Sequence, residues 1–394
     1  MMVEVEDVWR LIDAHAVALP ARRVPLAEAL GLTLAEAAVA DRDAPAFDRA
    51  TMDGYAIRAD DAAETFHVVG TIAAGDSRRM ALAPGETVRI FTGAEVPGDG
   101  LEVVMQEDVA RDGETIRVVR RGPSANISRR GEDVRAGDTL ISAGTRLTPA
   151  AVALLASVGQ TQPLVVRPPR ILHFTTGDEI VPPEETPGPG KIRDSNAALI
   201  RALLAGFPGE APHHAHLPDD EARAAAFVDA TGPESFDVLL FSGGASVGDY
   251  DFTANFLRRL GFEIHCSQVN VRPGKPLIFA SREGRLAFGI PGNPLSHFVC
   301  FHVFIARALA RLTGRETPGL EPAELAAAIP GAPNRRVTYW PARMEHGRVM
   351  PVAWNSSGHL AALLGVDALI RVPAEAELPK AGETVQRLAL EGIR

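Results

Sequence analysis

Three glycine-rich strings carry the residue types that an anion or a hydrated metal would need. In FSGGASVGDYD, residues 241–251, Gly243 and Gly244 let backbone N–H groups approach an anion, and Ser242 and Ser246 add hydroxyl donors. Asp249 and Asp251 in the same string are suited to a hydrated Mg²⁺. RPGKP, residues 272–276, sets the cations Arg272 and Lys275 three residues apart around a rigid turn. PGNPLS, residues 291–296, places Pro291, Gly292 and Asn293 at the start of a helix, where free N–H groups and the Ser296 hydroxyl form an anion site. A fourth string, TTGDE at 175–179, ends on Glu179, and KIRDSN follows at 191–196. Carboxylates there suit a divalent metal or proton transfer. A lone Gly-Gly or Pro-Gly turn is more often structural, so the weight rests on the strings together. None is a Walker A or a GxGxxG string, which argues against an ordinary P-loop NTPase or dehydrogenase.

Further polar turns follow short β-type runs. FDRATMDGYAIR (47–58) carries Asp53, RIFTGAEVP (89–97) carries Thr92, and NISRRGED (126–133) carries Asp133. Periodicity alone makes them hairpin ends. His173 and His265 lie in apolar runs and read as core residues, and His213, His214 and His216 lack the paired helical spacing of a metal site.

The elements that must position these residues change along the chain. Residues 4–40 predict helix, from Val8, Leu11, Ile12 and Val17 and then Leu26, Leu30 and Leu34. From Asp41 to Asp138 short β-rich runs alternate with turns, and Thr148 to Val158 predicts helix again. After a Pro-rich hinge at 163–169 strands and helices alternate, which predicts an open, mostly parallel sheet whose ligands sit beyond the strands' carboxyl ends. A second Pro-rich stretch, 318–333, leads into short strands. The expected domains are a discontinuous, elongated helix-rich one (1–44 and 139–168), a β-rich insertion (45–138), a three-layer α/β domain (169–317) and a small C-terminal β domain (318–394).

Length and charge bound the function. At 394 residues the chain is too long for one ordinary core, and 46% hydrophobic with 23% charged residues is globular composition. A balance of 40 basic to 50 acidic residues, net −10, argues against a bulk nucleic-acid binder. Cys266 and Cys300 alone cannot build a disulfide framework or a cysteine zinc site. The acidic start lacks a signal-peptide pattern, and no run reaches the roughly 18–20 apolar residues of a membrane span, so a cytoplasmic protein without a membrane partner is expected.

Taken in order, FDRATMDGYAIR, RIFTGAEVP with VVMQED, NISRRGEDVRAGDTL, FTTGDEI, KIRDSN, LFSGGASVGDYDF, RPGKP and GIPGNPLS resemble the molybdopterin molybdenumtransferase family, MoeA. The family includes the E domain of gephyrin and plant homologues. The resemblance spans almost the whole chain and is weakest after Pro318. It implies an enzyme of molybdenum cofactor synthesis that inserts molybdate into the dithiolene of adenylylated molybdopterin and releases AMP in a Mg²⁺-dependent step. Carried over by motif, the functional positions are Asp53, Thr92, Asp133, Glu179, Asp219, Asp251, Lys275, Ser296 and Ser357, with Glu179 and Asp251 holding Mg²⁺. The resemblance also implies an elongated homodimer whose further partners are cofactor-synthesis proteins and apo-molybdoenzymes.

The chain departs from the family pattern at a few positions. Arg272 replaces a lysine, Gln268 replaces another, and Pro341 stands where the family has arginine, with Arg343 nearby. Val366-Asp367 replaces Ala-Asn, while the Ser357-Gly358 turn is kept. The competing readings are a non-catalytic molybdopterin-binding scaffold and a molybdopterin adenylyltransferase.

Overall fold

A computed structural model of the chain describes residues 2–217, 222, 226–227, 229–230, 232, 235–243 and 249–390, with Asp249, Tyr250 and Asp251 described by backbone alone. Two compact units result: Met1–Glu36, Gly144–Thr148 and Gln162–Arg394 in one, Ala37–Ala143 and Pro149–Thr161 in the other.

The larger unit is organised on six strands: β1 (Ile171–Thr176), β2 (His213–Leu217), β3 (Val238–Ser242), β4 (Glu263–Cys266), β5 (Ile278–Arg282) and β6 (Arg285–Ile290). Their order is β2-β1-β3-β6-β5-β4. β1 pairs in parallel with β2 and β3, and β3 with β6, whereas β5 and β4 are antiparallel additions at one edge. The central strands read as unbroken apolar runs because both faces are covered, and Val238 to Phe241 are fully buried. The strand order reverses between β1 and β3, which opens a crevice at their carboxyl ends. Helix Ser195–Leu204 starts beside it, with the Asp194 carboxylate accepting the Ala197 N–H at 2.8 Å as an N-cap.

A 19-residue helix, Pro294–Leu312, follows β6. Its mean hydropathy of 1.4 meets the length and composition of a membrane span, contrary to the expectation that no run would. It is a core helix: 89% of that window is buried, with Phe298, Phe301, Phe304 and Leu309 packed in one cluster with Phe279 and Phe288. The N-terminal helix Val5–His15 adds Val8 and Ile12 to that cluster, and its Trp9 Nε1 donates to the Val303 carbonyl at 2.8 Å. The C-terminal strands form a separate sheet, and Val271–Arg272 joins its edge in parallel to Val337–Thr338. The start of RPGKP is thereby stitched to the C-terminal segment.

The expected helix-rich N-terminal domain is not formed. Helix ends at His15, Ala21–Arg23 and Thr33–Leu34 are strands paired with Leu164–Val166, and Leu26–Glu28 is a single 3₁₀ turn. Pro20 and Pro25 remove N–H donors and push the preceding residues to extended backbone, so the spacing of Leu26, Leu30 and Leu34 never becomes a helical face. The fold is mixed α/β, mostly sheet with few helices.

In the smaller unit the six-stranded sheet runs Leu101–Met105, Gly54–Arg58, Glu86–Ile90, Thr65–Ile72, Thr115–Val118, Val109–Asp112. The pair Thr65–Ile72 and Glu86–Ile90 is parallel, and the other neighbours are antiparallel. Its helix is Pro149–Ser157.

Candidate active-site cleft

The carboxyl ends of β1, β3 and β6 open into a cleft of about 900 Å³. Glu179, Ser242, Gly243, Arg272, Lys275, Pro291, Gly292, Asn293, Ser296 and Ser357 all line it, so Ser242-Gly243 near the start of the first string, RPGKP and PGNPLS converge there with the end of TTGDE. Gly243 is required by the geometry. Its φ is +97°, and a Cβ there would lie 2.7 Å from the Thr176 carbonyl oxygen. The two loops are also tied to each other, since the Gly243 N–H donates to the Ile290 carbonyl at 3.2 Å.

Ser357 reaches the cleft because its carbonyl accepts the Leu295 N–H at 3.0 Å, which uses one free donor of the long helix's first turn. The Asn293 carbonyl accepts the His297 N–H at 3.0 Å, so Asn293 acts as the N-cap through its backbone. The Ser242 hydroxyl is buried and lies between two imidazoles, 2.5 Å from His173 Nε2 and 2.6 Å from His297 Nε2.

Among the described lining residues cations outnumber carboxylates. Arg193, Arg272, Lys275 and Arg336 face Glu179 and Asp194, and Asp194 is already committed as a helix cap. The Arg272 guanidinium lies over Trp354, 5.0 Å from the ring centroid, and this cation–π contact holds it at the cleft wall. Burial, and then the like charge of Arg272, lower the Arg336 guanidinium below its ordinary value. An anion entering between them would relieve that repulsion. Two further polar atoms are buried and have no partner among the described residues, Thr176 Oγ1 and Asn196 Oδ1. The Asn196 amide is oriented by its Nδ2, which donates to the Gly292 carbonyl at 2.7 Å, so its oxygen remains as a fixed acceptor.

Not every sequence-predicted residue gathers here. Asp53 and Thr92 belong to the smaller unit, where they meet: the Thr92 N–H and hydroxyl both donate to Asp53 Oδ1, at 2.8 and 2.7 Å. Those bonds, the backbone one first, hold the Asp53 carboxyl below the usual range. Asp133 is exposed on a turn of the same unit, its N–H donating to the Ala44 carbonyl at 3.0 Å. Arg343 is outside the cleft lining and donates to the Leu364 carbonyl at 2.8 Å. Asp219, Gly244 and Ser246 lie outside the described residues, and Asp249 and Asp251 open helix Asp249–Arg259 with their side chains undescribed. Sequence reasoning missed Arg336 and Trp354 and named Asn196 only as the end of KIRDSN. Arg336 stands just before strand Val337–Glu345 and Trp354 in irregular backbone, and neither carries a local signal.

Residues 3–159 match the family described as MoeA N-terminal region (domain I and II), 173–311 a probable molybdopterin binding domain, and 322–390 MoeA C-terminal region (domain IV). A curated molybdopterin molybdenumtransferase from Bacillus subtilis is 34% identical over 93% of this chain and 89% of its own length. One from Staphylococcus epidermidis is 30% identical over 98% of this chain and 95% of its own. The chain belongs to the MoeA family. A solved MoeA structure, a molybdopterin biosynthesis protein from Pyrococcus horikoshii, superposes with a TM-score of 0.82 at 30% identity, covering 100% of both chains. In this MoeA-family chain the cleft is built from the segments matched as molybdopterin binding domain and C-terminal region, with Arg272 on the edge strand of the C-terminal sheet.

Proposed function

We propose that this protein is a molybdopterin molybdenumtransferase: it inserts molybdate into the dithiolene of adenylylated molybdopterin and releases AMP. The observation that carries the reading is the cation-rich cleft at the strand switch point, where Arg272, Lys275 and Arg336 line the walls together with Gly243, Gly292 and Ser296. A tetrahedral dianion and a phosphorylated pterin both need cations and oriented donors, and Coulomb attraction is stronger in a partly desolvated cleft than in water. The RPGKP cations with the Ser296 helix start bind the oxyanion, and the Gly243 and Gly292 loops bind the molybdopterin side.

Glu179 fits a Mg²⁺ role as an exposed carboxylate in the cleft. A hydrated Mg²⁺ needs only one or two protein carboxylates beside substrate phosphates, so the lack of a larger acidic group among the described residues does not conflict with it. When bound, the ion would neutralise phosphate charge, while Glu179 and Asp251 hold it. Asp53, Thr92, Asp133 and Asp219 are the remaining functional acids and hydroxyl of this proposal. The protein acts in the cytoplasm as a homodimer, handing its product to apo-molybdoenzymes.

The test is incubation with adenylylated molybdopterin, Mg²⁺ and molybdate, with AMP as the readout. Molybdate-dependent AMP release is expected. Binding of the pterin without AMP release would favour the scaffold reading, and ATP-dependent adenylylation of free molybdopterin the adenylyltransferase.

A further inference from the structure

Behind the cleft floor runs a buried chain of polar groups that no step above uses. His173 on β1, Ser242 at the end of β3 and His297 in the long helix are at most 2% exposed. Ser242 Oγ lies 2.5 Å from His173 Nε2 and 2.6 Å from His297 Nε2, and His297 Nδ1 lies 2.6 Å from the Pro291 carbonyl oxygen.

Proton counting fixes the direction of this chain. A carbonyl only accepts, so His297 Nδ1 must carry a hydrogen. Burial lowers the His297 imidazole to about 4, so near neutrality it is uncharged and its Nε2 is bare. That bare nitrogen accepts the single Ser242 hydroxyl hydrogen. Ser242 Oγ must then accept from His173, whose Nε2 carries the hydrogen. His173 Nδ1 is left bare, and it is the nitrogen with no hydrogen-bond partner among the described residues. Burial also holds the His173 imidazole well below its ordinary value. Every hydrogen is assigned once and no buried N–H is orphaned, the condition under which such a network stiffens a site.

The structure assigns to His297 a positioning role: it ties the Pro291–Asn293 loop of the cleft to the end of β3 through Ser242, and so sets the loop spacing that receives the molybdopterin substrate. This rests on the function proposed above. The Pro291 carbonyl is the end that matters, because Gly292 and Asn293 follow it directly into the cleft wall. Asparagine reproduces the Nδ1 position of histidine and glutamine the Nε2 position, so the two variants separate the ends of the imidazole.

Steady-state kinetics of AMP release, with thermal denaturation of each variant, test the assignment. For His297→Gln, which keeps the Ser242 contact and loses the Pro291 anchor, KM for adenylylated molybdopterin should rise about tenfold with kcat within about twofold. For His297→Asn, KM should return to within about threefold of wild type. Equal KM values in the two variants, or a loss confined to kcat, would overturn the role. Should either variant fail to fold, imidazole ¹⁵N shifts of the wild-type protein decide independently. His297 is expected as the Nδ1–H tautomer and His173 as the Nε2–H tautomer, and the opposite pair would sink the proposal. If wild type itself releases no AMP, the functional reading fails while the tautomer spectrum still decides the hydrogen-bond chain.

Discussion

Lys275 is exposed at the cleft wall, and its ammonium has no hydrogen-bond partner among the described residues, whereas Arg272 lies over Trp354 and the Arg336 side chain donates to the Val271 carbonyl at 3.2 Å. A mobile ammonium is the cation best placed to follow a small oxyanion. Lys275→Ala should weaken molybdate binding about tenfold, or ~1.4 kcal/mol, and weaken adenylylated molybdopterin less. Calorimetry of the two ligands separately checks this, and equal losses would make Lys275 a general phosphate contact. At this scale the sequence was legible where residue type suffices: Arg272, Lys275, Gly243 and Gly292 of the strings line one cleft, and Gly244 lies outside the described residues. Ser242 was misread in one respect. Its hydroxyl was expected to face a ligand, yet it is held between two imidazoles contributed by segments 69 and 55 residues away along the chain.

Among the elements, β1 and β3 are clamped at the ends opposite the cleft. The Asp237 carboxylate, 6% exposed, accepts from Arg167 at 2.7 and 2.8 Å and from the Arg170 backbone N–H at 2.8 Å, with Arg170 side-chain bonds at 3.2 Å. These interactions hold the Asp237 carboxyl well below its usual range. Asp237→Asn leaves Arg167 without its charged partner and should cost about 3 kcal/mol, read as a lower urea midpoint. KM for either substrate should stay at the wild-type value, because the change lies at the amino ends of strands whose carboxyl ends bind. A KM shift would mean that strand register reaches the cleft. Element type followed the sequence closely in the βαβ region, where apolar runs and helical spacing differ clearly. It failed over residues 16–40, where prolines override an apparent helical period, and at β2, whose His-rich sequence shows no strand pattern.

For the molecule as a whole, buried neutral histidines set an acid limit. Burial lowers His297 to about 4 and His302 to about 3, both below the roughly 6.5 of an unfolded chain. Between those values the unfolded state binds protons that the folded state refuses, so stability is full above about pH 6.5 and declines as pH falls towards 4. His302 Nε2 is buried without a partner among the described residues and its ring packs edge-on to Phe298, so an apolar replacement should be tolerated. His302→Leu should flatten the decline, gaining about 2 kcal/mol at pH 5 relative to its effect at pH 7.5. Urea titrations at the two values check it, and parallel curves would show that His302 does not contribute.

By itself the sequence determined the family, the chemistry of the loops and the alternation that makes a parallel sheet, because glycine, proline, charge and hydrophobic period act locally. Tertiary structure alone decided which atoms remain free. Strand order, not strand existence, created the crevice between β1 and β3. Pairing of Val271–Arg272 with Val337–Thr338 brought Arg336 and Trp354 beside the RPGKP cations. Burial then joined His173, read from the sequence as a core residue, and His297 in a directed hydrogen-bond chain that occupies Ser242. A hydrogen bond depends on separations of tenths of an ångström between residues far apart in the chain. No residue type or spacing carries that information until the fold has closed.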